Sequence, residues 1–328
     1  MTRGKFYEFL NKLRKDFLLI GPKKERGDLF FSKLNTAKEF ALTDEFPFYP
    51  PKKYLVPQAE VLFEFQGHKL KEVLPVVKNQ ILLGINLTDL KAVMLYDQVF
   101  EKDPYYQKRQ QETVITGQTV LPVEKGTANI FGEKLEEDVL EHLKFDILFG
   151  KHKDKIKFFT GSEQGQNILD KYKVKDYQHV NFQGPIPEQG VAAKAIADYK
   201  KVKNSAAANV WEELGKKCIA CGKCTTVCPT CFCFQILDKP CTQPNTGLRC
   251  REWDSCFYNN FSRIADDQKF LKSVNERIYF WYQHKFVRIP EDYQFTVPGC
   301  IGCGRCIKVC PVGIDIKKVL DSLKRYEK

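Results

Sequence analysis

The 217 residues before Cys218 contain no cysteine, and the remainder of the chain holds all 13. That imbalance excludes a disulfide-stapled secreted protein, which is small and cross-linked throughout. It confines metal or redox chemistry to the C-terminal third. Long apolar runs are missing as well. The most apolar stretches, 73–77 (VLPVV) and 81–85 (ILLGI), fall far short of the roughly 18 residues a membrane helix needs, so no membrane insertion is expected. The start, MTRGKFYEFLNKLRKDFLLIGP, sets Phe6, Leu10, Leu13 and Phe17 at helical spacing with charges between them. This reads as an amphipathic helix, not a secretory signal, and makes a reducing cytoplasm the expected location. No Walker A loop, G-x-G-x-x-G turn or nucleophile elbow is present, so no catalytic residue and no flavin or nicotinamide site is assigned to this chain. Helix-turn-helix and RNP signatures are also lacking, and nucleic-acid binding is not expected.

What is present is a chain of 328 residues, 43% hydrophobic and 28% charged. It is long enough for two domains with sizeable cores and too apolar for disorder. The formal net charge is +11, with lysine runs at 151–157 (KHKDKIK), 171–175 (KYKVK) and 200–203 (KKVK). These read as a solvated lysine-rich surface that can steer an acidic partner.

Along the chain, LLIGP after the first helix reads as a strand. The proline- and aromatic-rich 41–65 reads as loops and short strands, and 72–86 as two strands. Residues 88–100 (TDLKAVMLYDQVF) predict a helix capped by Thr88. Strands are expected over 111–121, 144–149 and 155–160, with a helix over 165–172. The segment 183–208 begins with proline and glycine and continues as a polar, alanine-rich run, the pattern of a partly helical linker. Asn209, with Glu212 three residues on, predicts a capping-box start to a short helix. The expected fold is α+β. A mixed α/β domain covers 1–185, a linker 186–208, and a mainly helical, ferredoxin-like domain 209–328.

Cys218, Cys221, Cys224 and Cys228 lie in CIACGKCTTVCP, and Cys300, Cys303, Cys306 and Cys310 in CIGCGRCIKVCP. Both are C-x₂-C-x₂-C-x₃-C-P, the spacing of two-cluster ferredoxins. Three thiolates two residues apart can wrap one face of a cubane. Gly222, Gly302 and Gly304 let backbone amides approach the sulfides. In two-cluster ferredoxins the fourth cysteine ligates the other cluster. The pattern therefore assigns Cys218, Cys221, Cys224 and Cys310 to one [4Fe-4S] cluster, and Cys300, Cys303, Cys306 and Cys228 to a second. Pro229 and Pro311 redirect the chain. Structural zinc would leave a third cysteine and the trailing proline of each motif unexplained.

Cys231, Cys233, Cys241, Cys250 and Cys256 follow no regular spacing. They read as small apolar residues beside a cluster, with a third metal site or a redox-active thiol pair as alternatives. Arg249, Arg251, Arg277, His284 and Lys285, between the motifs, can offset cluster charge or form a docking face, or be ordinary surface residues.

With these residues in view, the chain resembles the beta, dicluster iron–sulfur subunits of cytoplasmic sulfhydrogenase-type nickel–iron hydrogenases. It is similarly close to the dicluster iron–sulfur subunits of anaerobic sulfite reductases. The resembling segments are EFPFYPPKKYLVPQAEVLFEF, TDLKAVMLYDQVFEKDPYYQKRQ, WEELGKKCIACGKCTTVCPTCFCF, REWDSC, HKF and CIGCGRCIKVCPVGIDI. The resemblance implies an electron-transfer subunit of an anaerobic oxidoreductase, carrying two [4Fe-4S] clusters. Its partners would be a FAD/NAD(P)H-binding subunit and a catalytic hydrogenase or sulfite reductase subunit. Other functions considered are those of a stand-alone reductase and of a redox sensor. One departure is local: such relatives carry Pro-Cys-Asp where this chain has Leu87-Thr88-Asp89, and more cysteines in the loop matching 118–132.

Overall fold

The computed structural model describes residues 1–43, 45–120, 137–184, 191–294 and 299–326. Most of the loop 118–132 and the start of the linker lie outside them.

The N-terminal part starts with α1 (Arg3–Asp16) and the hairpin of β1 (Leu18–Glu25) and β2 (Asp28–Lys33). After a proline-rich passage come β3 (Ala59–Gln66), β4 (Lys69–Glu72), β5 (Gln80–Asn86), α2 (Leu87–Val99), α3 (Pro104–Gln111) and β6 (Thr113–Val120). Then follow β7 (Ile147–His152), β8 (Lys155–Thr160), α4 (Glu163–Lys171) and β9 (Tyr177–His179). Seven strands form one mixed sheet in the order β2-β1-β5-β6-β7-β8-β9. Its centre, β1-β5-β6-β7, is parallel, and β2 and β8 pair antiparallel at either side. Every residue of β5 is buried, as a central parallel strand covered on both faces requires. Leu82 and Ile85 point to a core shared with Leu90 and Val93 of α2. Ile81 and Leu83 point to the opposite core, with Phe6, Leu10 and Leu13 of α1.

The C-terminal part contains α5 (Val191–Lys203), α6 (Val210–Lys217), α7 (Lys223–Thr226), β10 (Phe234–Pro240), β11 (Thr246–Trp253) and α8 (Val274–Gln283). A π-helical turn (His284–Arg288) joins α8 to α9 (Ile289–Asp292), and α10 (Arg305–Val309) and α11 (Ile316–Ser322) close the chain. The fold is α+β, with a β-hairpin among the helices. That hairpin is not free-standing. It pairs with the N-terminal hairpin in a second, antiparallel sheet, β10-β11-β3-β4. Phe232 and Ile289 also pack into the core of α2. Hence α2 is buried from Leu87 to Tyr96: the sheet covers one side and the cysteine-rich part the other.

Three local readings change. Residues 73–79 form no strand; Pro75 cannot donate to a ladder, and Val76 is 99% exposed. Asn86, not Thr88, caps α2: its side chain accepts from the Asp89 amide at 2.8 Å. Asn209 makes no side-chain cap because its backbone is already helical (φ −58°, ψ −22°), and a cap residue needs extended geometry.

Candidate iron–sulfur centre

The two cysteine motifs fold alike. α6 delivers the chain to Cys218. Ala220 (φ 53°) and Gly222 (φ 72°) then turn it through the left-handed region, and α7 presents Cys224. In the second motif Gly302 (φ 70°) and Gly304 (φ 73°) make the same turns ahead of α10, which presents Cys306. α7 packs against α10, so the motifs meet. Cys228 and Cys310 lie just beyond these helices.

Two cavities result. Cys218, Cys221 and Cys224 line the first together with Cys310, over an apolar floor of Phe257, Ile278, Trp281 and Tyr282. Cys300, Cys303 and Cys306 line the second together with Cys228, Trp281 and Lys285. Cys306 also reaches the first cavity, so the two are neighbours. Among the described residues no three His, Cys, Asp or Glu side chains converge on a single-ion site; the thiols surround volumes instead.

The fit to clusters can be judged from polar atoms. Trp281 Nε1 and the Tyr282 hydroxyl are buried and have no hydrogen-bond partner among the described residues, although both residues line the first cavity. Buried donors are normally satisfied, and sulfide or thiolate acceptors in the cavities would satisfy these. Backbone amides already reach the sulfurs: Ala220 N donates to Cys218 Sγ at 3.3 Å, and Ile314 N to Cys310 Sγ at 3.2 Å. Burial pushes the Cys224 and Cys300 thiols up to about 12. Thiols so desolvated become thiolates when a metal takes the place of the proton. The donor set therefore suits iron–sulfur clusters.

Charge is unevenly placed around these cavities. Lys285, 2% exposed, donates to Cys228 Sγ at 3.1 Å, Thr230 Oγ1 at 2.9 Å and the Gly299 carbonyl at 3.1 Å. Burial acts to raise the Cys228 thiol, but a hydrogen bond with Cys231, the Lys285 charge and the Thr230 hydroxyl together bring it well below its usual value. Lys52, also buried, donates to the Thr225 and Cys231 carbonyls and lies over the Trp253 ring. Arg305, inside the second motif, makes a two-pronged bond to Asp89, 2.7 Å on each arm, and donates to the Pro47 carbonyl.

Of the other residues named from sequence, Arg251 bonds Glu60 and Asp103, tying β11 to the N-terminal part. Arg249 pairs with Asp238 on the surface. Arg277 is buried and donates to the Leu271 carbonyl. His284 packs between Phe232 and Phe280. Cys231 lies against Cys228, Cys233 and Cys256 lie against each other with Cys224 among the neighbours of Cys256, Cys250 is buried in β11, and Cys241 is exposed. Sequence reasoning missed Lys52, Asp89, Trp281 and Tyr282. Lys52 and Asp89 fall in the two N-terminal segments that carry the family resemblance, but without a chemical motif.

Residues 217–314 match the 4Fe-4S dicluster domain family. Over 97% of its length the chain is 28% identical to sulfhydrogenase 2 subunit beta of Pyrococcus furiosus, covering 96% of that protein. The chain is thus similar to a sulfhydrogenase beta subunit over nearly its whole length. The dicluster match and this similarity support an iron–sulfur electron-transfer role. A shorter stretch, 38% of the chain, is 25% identical to a pyruvate-flavodoxin oxidoreductase of Trichormus variabilis and covers 8% of it. No solved structure matches. Among the described residues, no helix of the chain is long and apolar enough to cross a membrane.

Proposed function

We propose that the chain relays electrons through two [4Fe-4S] clusters, between a FAD/NAD(P)H-binding subunit and a catalytic nickel–iron hydrogenase subunit, in the cytoplasm. Cys218, Cys221, Cys224 and Cys310 hold one cluster; Cys300, Cys303, Cys306 and Cys228 hold the other. The observation that carries this reading is the lining of the two cavities, each with three cysteines of one motif and the fourth of the other. Such clusters, when bound, supply one-electron storage at low potential. The chain's own residues fix the thiols, surround them with apolar side chains that exclude water, and aim amide donors at the sulfurs. Residues 209–328 act as the cluster domain. Residues 1–185 are the scaffold against which it is packed and on which neighbours dock, with 186–208 as the connection.

The test is anaerobic purification with assays of iron, acid-labile sulfide and low-temperature EPR after reduction. Two reducible [4Fe-4S] signals are expected. Near-zero iron, or stoichiometric zinc, would overturn the reading. Affinity capture from the native cells should return flavin-containing and nickel–iron subunits together.

A further inference from the structure

Lys285 is placed by a backbone irregularity. The helix that begins at Val274 widens into a π turn over His284–Arg288 before continuing as α9. Single π turns are uncommon and concentrate at functional positions. Here the turn carries a lysine side chain inward, where its three ammonium protons meet three acceptors: Cys228 Sγ, Thr230 Oγ1 and the Gly299 carbonyl. Gly299 is held tightly against it. A Cβ at that position would lie 2.1 Å from the Lys285 carbonyl oxygen, so the loop leading to Cys300 is locked onto the lysine.

The other cations near the second cavity are already answered. Arg305 spends its charge on Asp89. Lys52 is directed at two carbonyls and an indole ring. Among the described residues no carboxylate lies within ion-pair distance of Lys285, so sulfur is its anion. Among the described residues the first cavity has no lysine bonded to a ligand sulfur: the buried cation on that side, Arg277, donates to the Leu271 carbonyl and acts on Cys218 only through its charge. The sulfurs of the first cavity receive backbone amides from Ala220 and Ile314, and its floor is apolar. Reduction adds negative charge to a cluster, and a cation and hydrogen bond at a ligand sulfur stabilise that charge, which raises the potential.

We propose that Lys285 is a positioning residue that sets the two clusters apart: its ammonium holds the cluster of Cys228, Cys300, Cys303 and Cys306 at the higher reduction potential, so that an electron entering the chain settles there. The proposal rests on the ligand sets given under the proposed function.

EPR-monitored redox titration of the intact chain, beside K285M, K285Q and K285R, tests it, with iron counted first. The expected result is that K285M and K285Q retain full iron, and one of the two midpoints falls. The change in its reduction equilibrium is about tenfold or more, which is 59 mV or more for one electron. The signal that moves is the one altered in C228S, and K285R stays near the parent. Unmoved midpoints in iron-replete K285Q, or a fall in the other signal, would overturn the proposal. If K285M loses iron, K285Q and K285R decide. Loss of iron from all three makes Lys285 an assembly residue and also overturns it. Absence of two clusters from the parent chain is a different failure, that of the ligand reading, and shows in the iron count before any titration.

Discussion

The two motifs use one backbone design in two settings. Where the first has Lys223 between Gly222 and its third cysteine, the second has Arg305 between Gly304 and its third cysteine. Lys223 is exposed to solvent. Arg305 is buried and clamped to Asp89 at the start of α2. The first cavity has an apolar floor and opens beside Ile219, which is 62% exposed. The second lies against the N-terminal part, among Lys285, Lys52 and the Arg305–Asp89 pair. Identical cysteine spacing therefore does not produce identical sites. What distinguishes them is supplied by residues far away in the chain, and this makes them the outer and the inner station of the proposed relay.

The largest expected effect breaks the pairing itself. Cys310→Ser should remove the cluster whose other ligands are Cys218, Cys221 and Cys224, and Cys228→Ser the cluster of Cys300, Cys303 and Cys306. Each should leave roughly half of the iron and lower the thermal midpoint, because a metal site that forms only on folding contributes its binding energy to the fold. EPR distinguishes the two. If each serine abolished the signal of its own motif, the crossed sets would be wrong.

Next in size is the clamp on the inner station. The side chains of Asp89 and Arg305 are 0% and 4% exposed. Asp89→Leu leaves a buried guanidinium without its carboxylate, and losses of this kind are about 3–5 kcal/mol. Joining it to Arg305→Met should recover most of the loss, since two apolar side chains leave no unpaired charge. Urea unfolding of the two singles and the double measures the recovery. A double variant as unstable as the sum of the singles would show that the pair does not act as a unit.

Neither half of that clamp announces itself. Asp89 sits in a helix that the apolar spacing of 88–100 reveals, and Arg305 in a motif that the cysteines reveal, but 216 residues separate them. No local signal couples them. The same holds for the second sheet. β10 is exposed along nearly all its length, so it lacks the apolar alternation that exposes a half-buried strand, and its hairpin was not expected. By contrast, α1 and β5 were legible because burial imposes a helical period on one and a continuous apolar run on the other. The cysteines were legible because cluster geometry imposes short, fixed spacings. In the fold Cys310 lines the cavity of the first motif and Cys228 that of the second. The spacing is silent about Lys285, whose position depends on a π turn no pattern encodes.

A smaller effect concerns the same helix. Burial, with the charges of Lys285 and Arg288, holds the His284 imidazole down to about 4 from its usual 6.5. The unfolded chain therefore takes up a proton that the folded one refuses. The contribution is fully present above about pH 6.5 and is lost as pH falls toward 4, by up to about 1.4 kcal/mol per unit. His284→Phe should flatten this part of the stability profile, and a parallel profile would contradict the assignment.

The smallest effect tests how alike the two turns are. Ala220 and Gly302 occupy the same place, one residue before the second cysteine, at φ 53° and 70°. A side chain in the left-handed region costs about 1–2 kcal/mol, which glycine avoids. The first motif carries that strain and the second does not. Ala220→Gly should therefore stabilise the chain by about 1 kcal/mol once the greater freedom of glycine in the unfolded state is subtracted, and Gly302→Ala should destabilise it by a similar amount. Both substitutions leave every thiol in place, so iron content should not change, and thermal unfolding under anaerobic conditions reads the difference. Equal and opposite shifts would mean that the turns are interchangeable backbones and that the stations differ only in what surrounds them. A much larger loss for Gly302→Ala would mean that the inner station also depends on close backbone approach at that residue, where the missing side chain admits the sulfur cage itself.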